Sequence, residues 1–442
     1  MMKVKLLFAF FSIFLLSTVL YSQPKENSPY SRFGIGDLTD NNFTNLRSIG
    51  LSGTFQSPYQ LNIINPASYG FISTTIFDLG FYSKFSTLRT GNNSARVVGG
   101  NLDFISLGMP LLNPINDLLE KKVRKYDLGL NFTLMPNSTV GFNIKSTSED
   151  PDAGTIKRVY EGSGGTYKFT TGLGGRYKDI AVGFNVGYFF GKLNYDRELI
   201  FEDLEFPYHN RYHNDMAVGG FLYNVGFMYN ILLNPRKVKK DNAPAKKLML
   251  GLYGNTKTDF KAYNSIYNQS IPVSLSSGII DTVLYKEETS GNGKLPFSIG
   301  GGIAYNYKNQ WIAGLNLAST KWSGYKNDIR TENFSDSYEV SAGLQYTPDE
   351  LSYTNYFKKV NYRASFYYKT DPRNENGNQF SERGLHFGFG LPVIYQRKSS
   401  NINTDINIGK RGDNLLISES FVKISFSVTF NDSDWFIKRK YY

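Results

Sequence analysis

From residue 75 onward, apolar and polar side chains alternate with period two. In the last such run Val422, Ile424, Phe426, Val428 and Phe430 share one face, and Lys423, Ser425, Ser427 and Thr429 share the other. This is the signature of a strand whose two faces meet different environments. Leu128/Leu130/Phe132/Leu134 repeats the pattern, as do Ile180/Val182/Phe184/Val186/Tyr188 and Phe221/Tyr223/Val225/Phe227/Tyr229. Further copies run through Phe297–Tyr305, Tyr338–Tyr346 and Val360–Tyr368. A soluble β-sandwich would also alternate. Three features favour a membrane instead. The runs are about 9–12 residues long, enough for a tilted strand to cross a bilayer. Tyrosine and phenylalanine collect at their ends, as interfacial girdles do. Almost no run has the periodicity of a helix that could cover an open sheet. The pattern predicts an all-β protein, an antiparallel transmembrane β-barrel.

The predicted spans are 75–87, 98–109, 126–146, 156–177, 179–195, 212–232, 247–260, 294–307, 310–322, 336–347, 358–370, 384–397, 400–410 and 419–430. These are fourteen strands, an even number as barrel closure requires. Lys178-Asp179, Lys308-Asn309 and Ser399-Ser400 read as tight turns, and 196–211, 261–293 and 371–383 as long polar excursions. Short turns facing the periplasm and long loops facing outward would place both termini in the periplasm. Pro136 breaks the third span, either as a turn between two strands or as a bulge in one long strand; one strand keeps the count even. Residues 23–74 do not alternate and hold Pro29, Pro58 and Pro66. They are expected to fold into the wide lumen as a hatch or plug. The domain order expected is then a signal peptide at 1–22, a hatch at 23–74, a barrel at 75–430 and a periplasmic tail at 431–442.

Composition narrows the chemistry. The chain has 442 residues, no cysteine and 3 histidines, with 34 phenylalanines and 32 tyrosines. Disulfides and thiol chemistry are absent, and a histidine-built metal site is not expected; no cofactor is implied. After the first 22 residues no apolar run approaches the ~18–20 of a transmembrane helix. Residues 1–22 read as a secretory signal, with Lys3 and Lys5 ahead of an uncharged Leu6–Leu20 and a small residue, Ser22, at the cleavage position. The protein is expected to leave the cytoplasm for the outer membrane, where nucleic acid is no partner for its formal charge of +11.

Asn65-Pro66-Ala67, just ahead of the first span, resembles the hatch element of the FadL family of outer-membrane channels for long-chain fatty acids and other hydrophobic compounds. That resemblance implies a fourteen-strand barrel with an N-terminal hatch, and an inward kink in the third strand, where Pro136 lies. Ser28–Asp37, the Gly409-Lys-Arg-Gly412 turn and the closing Phe430–Lys440 are similar to a Bacteroidota branch of FadL-like proteins. Members of that branch associate with the SprA translocon of the type IX secretion system. The implied role is an accessory barrel that closes the periplasmic mouth of the SprA pore. The wider family implies the alternative, a channel for hydrophobic small molecules with a ligand in the lumen.

Candidate partner-binding residues sit at the predicted periplasmic end. Trp435 and Phe436 beside Lys438, Arg439 and Lys440 combine rigid aromatic area with steering charge; a tail lying among lipid headgroups fits the same residues. Arg236, Lys237, Lys239 and Lys240, with Lys121, Lys122, Arg124 and Lys125, concentrate positive charge in predicted turns, suited to anionic lipid or an acidic protein surface. Leu118, Leu119 and Val123 could add a short helix against the rim. His209, His213 and Asp215 are the nearest approach to a catalytic set. They are predicted in or near an external loop, without the helix that i, i+4 spacing would need. His386 is expected at a strand start, facing the lumen or rim. Gly162–Gly165 and Gly300–Gly302 lack the following helix and Lys-Ser/Thr of a phosphate loop. They read as bends, or as places where the hatch comes close. No enzyme is expected.

Overall fold

The alternating runs become strands because each can place its apolar side chains on one surface and its polar ones on the other. The computed structural model describes residues 28–433 apart from 92, 113, 122–123, 205–207, 242–243, 273–280, 376–377, 396–397 and 413–416. The expected signal peptide and the tail residues Trp435, Phe436, Lys438, Arg439 and Lys440 lie outside the described residues. Fourteen strands form one closed antiparallel barrel. They are β1 (Thr75–Thr90), β2 (Asn93–Pro110), β3 (Tyr126–Asp150), β4 (Gly154–Tyr177), β5 (Ile180–Phe201), β6 (Tyr208–Leu232), β7 (Lys246–Asn255 and Thr258–Pro272) and β8 (Asp281–Leu295 and Ser298–Tyr307). They continue with β9 (Trp311–Thr320), β10 (Ser337–Tyr346), β11 (Asn361–Glu375), β12 (Asn378–Tyr395), β13 (Lys398–Gly412) and β14 (Ser418–Asp432). Each strand pairs with its sequence neighbours, and β14 closes on β1 from Ser418↔Arg89 to Asp432↔Thr75.

The wall is inverted relative to a soluble protein. In β14, Ser425, Ser427 and Thr429 have no accessible surface, whereas Phe430 is 54% exposed and Ile424 45%. The same inversion runs through Phe77, Phe81 and Phe85 in β1 and Val182 and Phe184 in β5. Such an exterior is stable only in hydrocarbon, and closure pairs the strand edges there except where β3 parts from β2. We call the end where β1 starts and β14 stops the near rim, and the other the far rim. Tyr126, Tyr177, Tyr229, Tyr305 and Trp311 are exposed at strand ends on the near rim, an aromatic girdle.

Several boundaries depart from the sequence reading. The excursions at 196–211, 261–293 and 371–383 are mostly strand: β5 and β6 are 22 and 25 residues long, about twice what a bilayer needs. Beyond the hydrocarbon both faces of these hairpins are wet, so the chain stays in register without alternating. Ser399 and Ser400 lie inside β13 rather than in a turn, and β13 already pairs with β12 at Tyr395↔Lys398. Gly409–Arg411 belong to β13 rather than to a turn. His209 and His213 are strand residues of β6, where every second side chain shares a face without touching. The near-rim connections are not uniformly short; 111–125, 233–245 and 347–360 stand among turns at 178–179 and 308–310.

β3 is a single strand, with a register shift between Pro136 and Ser138 where it pairs with β4. Gly164 and Gly165 of β4 pair with Val140 and Thr139 just past this irregularity, with φ of 109° and 144°, values open to glycine and costly for other residues. β3 pairs with β2 only from Pro110↔Gly129 to Ile105↔Leu134. Past Leu134 it leaves β2, and Met135, Ser138, Thr139 and Val140 are all buried. Both faces are then covered, so the strand has turned from the wall into the interior.

Candidate functional site

Residues 28–74 occupy the lumen. Their apolar side chains Phe43, Leu46, Ile49, Leu51, Phe55, Leu61 and Ile63 pack with Phe104, Met135 and Met249 of the wall. The segment also supplies the edge that β2 gives up. Asp37 and Leu38 pair with Thr139 and Ser138, the Ser28 N–H donates to the Gly141 carbonyl at 2.7 Å, and the Thr39 hydroxyl donates to the Pro136 carbonyl at 2.7 Å. The inward turn of β3 and the course of the segment are thus one arrangement. The segment enters at the far rim, where the Tyr30 hydroxyl donates to the Ile417 carbonyl, and leaves at the near rim into β1. The first and last described residues, Ser28 and Ser433, therefore lie toward opposite rims.

Two buried ion clusters tie the segment down. Asp37 receives Arg411 Nη1 and Nη2 at 2.7 and 2.8 Å and Arg373 Nη2 at 2.9 Å. Asp371 takes both arginines at 2.6 Å. Two guanidinium and two carboxylate groups thus balance, and the Arg411 guanidinium lies over the Tyr30 ring at 4.5 Å. Ser28–Asp37 and Gly409–Gly412, two of the three stretches that suggested the Bacteroidota branch, meet here. Lower in the lumen Arg47 holds Asp103 and Asp40. Burial on its own raises the Asp40 pKa, but the Arg47 guanidinium outweighs it and holds the carboxyl well below the usual carboxylate range. The contribution of that pair is present at neutral pH and is lost only as strong acid protonates Asp40.

Asn65-Pro66-Ala67 closes the near half. The Asn65 side chain caps a 3-10 turn at Pro66–Phe71 by accepting from Ala67 N–H. Its amide donates to the carbonyls of Gly53, Phe227 and Leu252 at 2.7, 3.2 and 3.3 Å. Gly129, Gly174, Gly183 and Gly226 stand opposite one another on β3–β6, and the Asn65–Tyr69 backbone lies against this row. A Cβ on Gly226 would fall 2.1 Å from Asn65 Oδ1, and one on Gly183 2.4 Å from the Pro66 backbone. We expect Asn65→Ala to destabilise seating of the turn by about 1–3 kcal/mol, because it strands buried carbonyls. Faster amide exchange across residues 53–67 would report it; unchanged exchange would contradict it.

Between the segment and the wall lies a cavity of about 470 Å3 whose walls carry Asp40, Arg47, Lys84, Asp103, Lys168 and Lys369. His386 faces this space from mid-β12, with Nδ1 3.0 Å from Asp405. His213 is held between Asp196 and Asp215, while Asp215 also pairs with Lys192 at 2.8 Å. These contacts join neighbouring side chains of the wall, and no nucleophile completes a catalytic set with either histidine among the described residues.

The near rim gathers most of the basic candidates. Arg236 and Lys237 are exposed in the short helix Pro235–Asp241; the side chains of Lys239 and Lys240 lie outside the described residues. Lys121 and Lys125 are exposed on 111–125, where Arg124 pairs with Asp117 at 2.7 Å. A helix does form there, at Pro114–Glu120, but the side chains of Leu118 and Leu119 and the whole of Lys122 and Val123 lie outside the described residues. The third long connection was missed in the sequence. Leu351, Tyr353, Tyr356 and Phe357 project from 347–360, with Tyr353 95% exposed and Leu351 75%. The missed signal was an aromatic-rich stretch without alternation, whose end was read as the start of a strand at 358. The three long connections follow β2, β6 and β10, so basic and aromatic groups recur every four strands around this rim.

A closed fourteen-strand transmembrane barrel, with a luminal N-terminal segment and a third strand that leaves the wall, defines a FadL-like outer-membrane barrel. Within that class the chain belongs to the BamG family, whose sequence model matches residues 1–442. No curated protein matches it. Among solved structures it is similar to the Pseudomonas putida toluene transporter TodX, with 14% identity, a TM-score of 0.52, and coverage of 91% of this chain and 100% of that one. The CymD monoaromatic hydrocarbon channel is similar at 15% identity and a TM-score of 0.51, covering 90% and 98%. These likenesses are of fold.

Proposed function

We propose that this protein is a non-enzymatic accessory subunit of a larger outer-membrane assembly, bound through its near rim. The observation that carries this reading is the lumen. It is occupied from rim to rim by a segment tied through buried ion clusters, and the space left is studded with charges that an apolar guest would have to desolvate. Membership of the BamG family suggests an accessory role. The near rim offers what a partner needs: exposed aromatic anchors at Tyr353 and Phe357 within a ring of cations. Of possible partners, the sequence resemblance implies the SprA translocon of type IX secretion, with this barrel sealing its periplasmic opening.

A second reading has its own observation. The separation of β2 from β3 beyond Leu134 opens the wall sideways at Pro136, and the structural relatives named above are hydrocarbon channels. A hydrophobic compound could then pass between the bilayer and the lumen.

Purification of the tagged protein at native abundance separates the two. A stoichiometric large outer-membrane partner is expected, and its identity tests the SprA assignment. A lone barrel carrying fatty acid or hydrocarbon would instead establish the channel. Replacing Leu351, Tyr353, Tyr356 and Phe357 together with serine is expected to release the partner at least about tenfold more readily, since each buried aromatic anchor contributes on the order of 2 kcal/mol. Retention of the partner by that variant would move the interface elsewhere.

A further inference from the structure

On the outer surface near the far rim, the register of β2, β1, β14, β13, β12 and β11 places two rows of side chains one above the other. The lower row is Val98–Phe85–Val422–Ile408–Leu385–Phe366, each directly opposite the next. The upper row, two residues farther toward the far rim, is Arg96–Thr87–Ser420–Lys410–Arg383. Arg96 and Arg383 are exposed and Lys410 is half-buried. The two rows line a shallow concavity of about 750 Å3 on the membrane side of the wall. No described segment of the chain lies over it.

We propose that this concavity binds a multiply acylated lipid whose head carries phosphate at both ends, the chemistry of diphosphorylated lipid A. The apolar row is continuous with the hydrocarbon-facing belt, so acyl chains already belong there. The cations stand one step beyond it, at the depth of headgroups; two residues along a strand is about 6.7 Å. Arg383 and Lys410 occupy adjacent strands, about 5 Å apart, and Arg96 lies three strands from Lys410, about 14 Å. Arginine suits phosphate oxygens through its planar fork, and lysine through a point charge. One glycerophospholipid head spans too little to reach both ends of the row, whereas a disaccharide phosphorylated at each end does. Thr87 and Ser420, between the cations, offer hydroxyls to the sugar. Six strands of apolar floor, about 24 Å wide, accommodate several chains side by side. This site lies wholly on the outer surface at the far rim, apart from whatever the near rim binds.

The test is native mass spectrometry of the full-length protein in detergent, titrated in turn with diphosphoryl lipid A, lipid A stripped of phosphate, and phosphatidylglycerol. A one-to-one complex with diphosphoryl lipid A is expected, at least about tenfold tighter than with either other lipid, the size of one charge-assisted hydrogen bond. Replacing Arg96, Arg383 and Lys410 together with glutamine should abolish that preference while leaving the heat-resistant barrel band on gels unchanged. Equal retention of dephosphorylated lipid A by the unmodified protein would overturn the site, whether or not the variant folds. Equal retention of phosphatidylglycerol would overturn the lipid assigned. Undiminished preference in a folded variant would remove these three residues from it.

Discussion

Replacing Asp37 with alanine should release the far end of the luminal segment while leaving the barrel closed. Asp37 is one of two carboxylates balancing Arg373 and Arg411, all of them buried. Removing it leaves the two guanidinium groups with Asp371 as their one close carboxylate, since Glu382 stands 3.8 Å from Arg411 Nε. Breaking a buried pair from one side costs about 3–5 kcal/mol, most of it the stranded charge. That is comparable to what so few residues can gain by docking, so Ser28–Thr39 should detach from β3. The chain has no cysteine, which makes an introduced pair an unambiguous reporter. Leu38→Cys and Ser138→Cys stand opposite each other in the register and should cross-link readily in the parent and poorly with Asp37→Ala. Single-channel conductance should rise in the same variant. Removing Arg411 as well ought to restore part of the cross-linking, because the remaining charges again balance. Full cross-linking in Asp37→Ala would mean that the strand pairing alone holds the segment.

The near end should fail through shape rather than charge. Valine at Gly183 and Gly226 together would drive side chains into the Pro66 backbone and the Asn65 side chain, where even a Cβ has only 2.4 and 2.1 Å. A flexible side chain could move aside, but the obstruction at Gly183 is backbone, and overpacking of this kind costs about 1–3 kcal/mol per site. With two sites the turn at Pro66–Phe71 should lift from the wall, exposing the buried Tyr69 and Ala67 to the lumen. Limited proteolysis between residues 50 and 74 in otherwise heat-resistant barrels would reveal it. Resistance equal to the parent would show that the wall, not the segment, yields.

The fold was largely written in local pattern, and the site was not. Alternation in runs such as 422–430 depends only on neighbours along the chain, and the inverted environment of the wall leaves it intact. It vanished where the environment became uniform, as in the tall hairpins beyond the bilayer. At Pro136 the missing N–H left two local remedies, a turn or a bulge, and the even strand count favoured the bulge. The Asp37–Arg411 contact spans 374 residues and joins two motifs that sequence could only set side by side as resemblances. The glycines at 129, 174, 183 and 226 each look like ordinary strand interruptions. Their meaning emerges only when register brings them into a row. The cationic row at Arg96, Lys410 and Arg383 was hidden in the same way, since each residue alone is an ordinary strand end.

A segment fixed at both rims also constrains how the molecule can be made. Ser28 reaches the far rim and Thr74 the near one, with charged and aromatic groups along the path between them. Drawing that chain lengthwise through a finished cylinder would require its carboxylates and guanidinium groups to part from their partners and pass one another in a confined space. Gathering it in while the sheet is still an open curve requires neither. Closure of β14 onto β1 is therefore best placed last, after the segment has taken its seat. Those strands would meet around cargo already in position, and the completed barrel would hold by enclosure what it first held by contact.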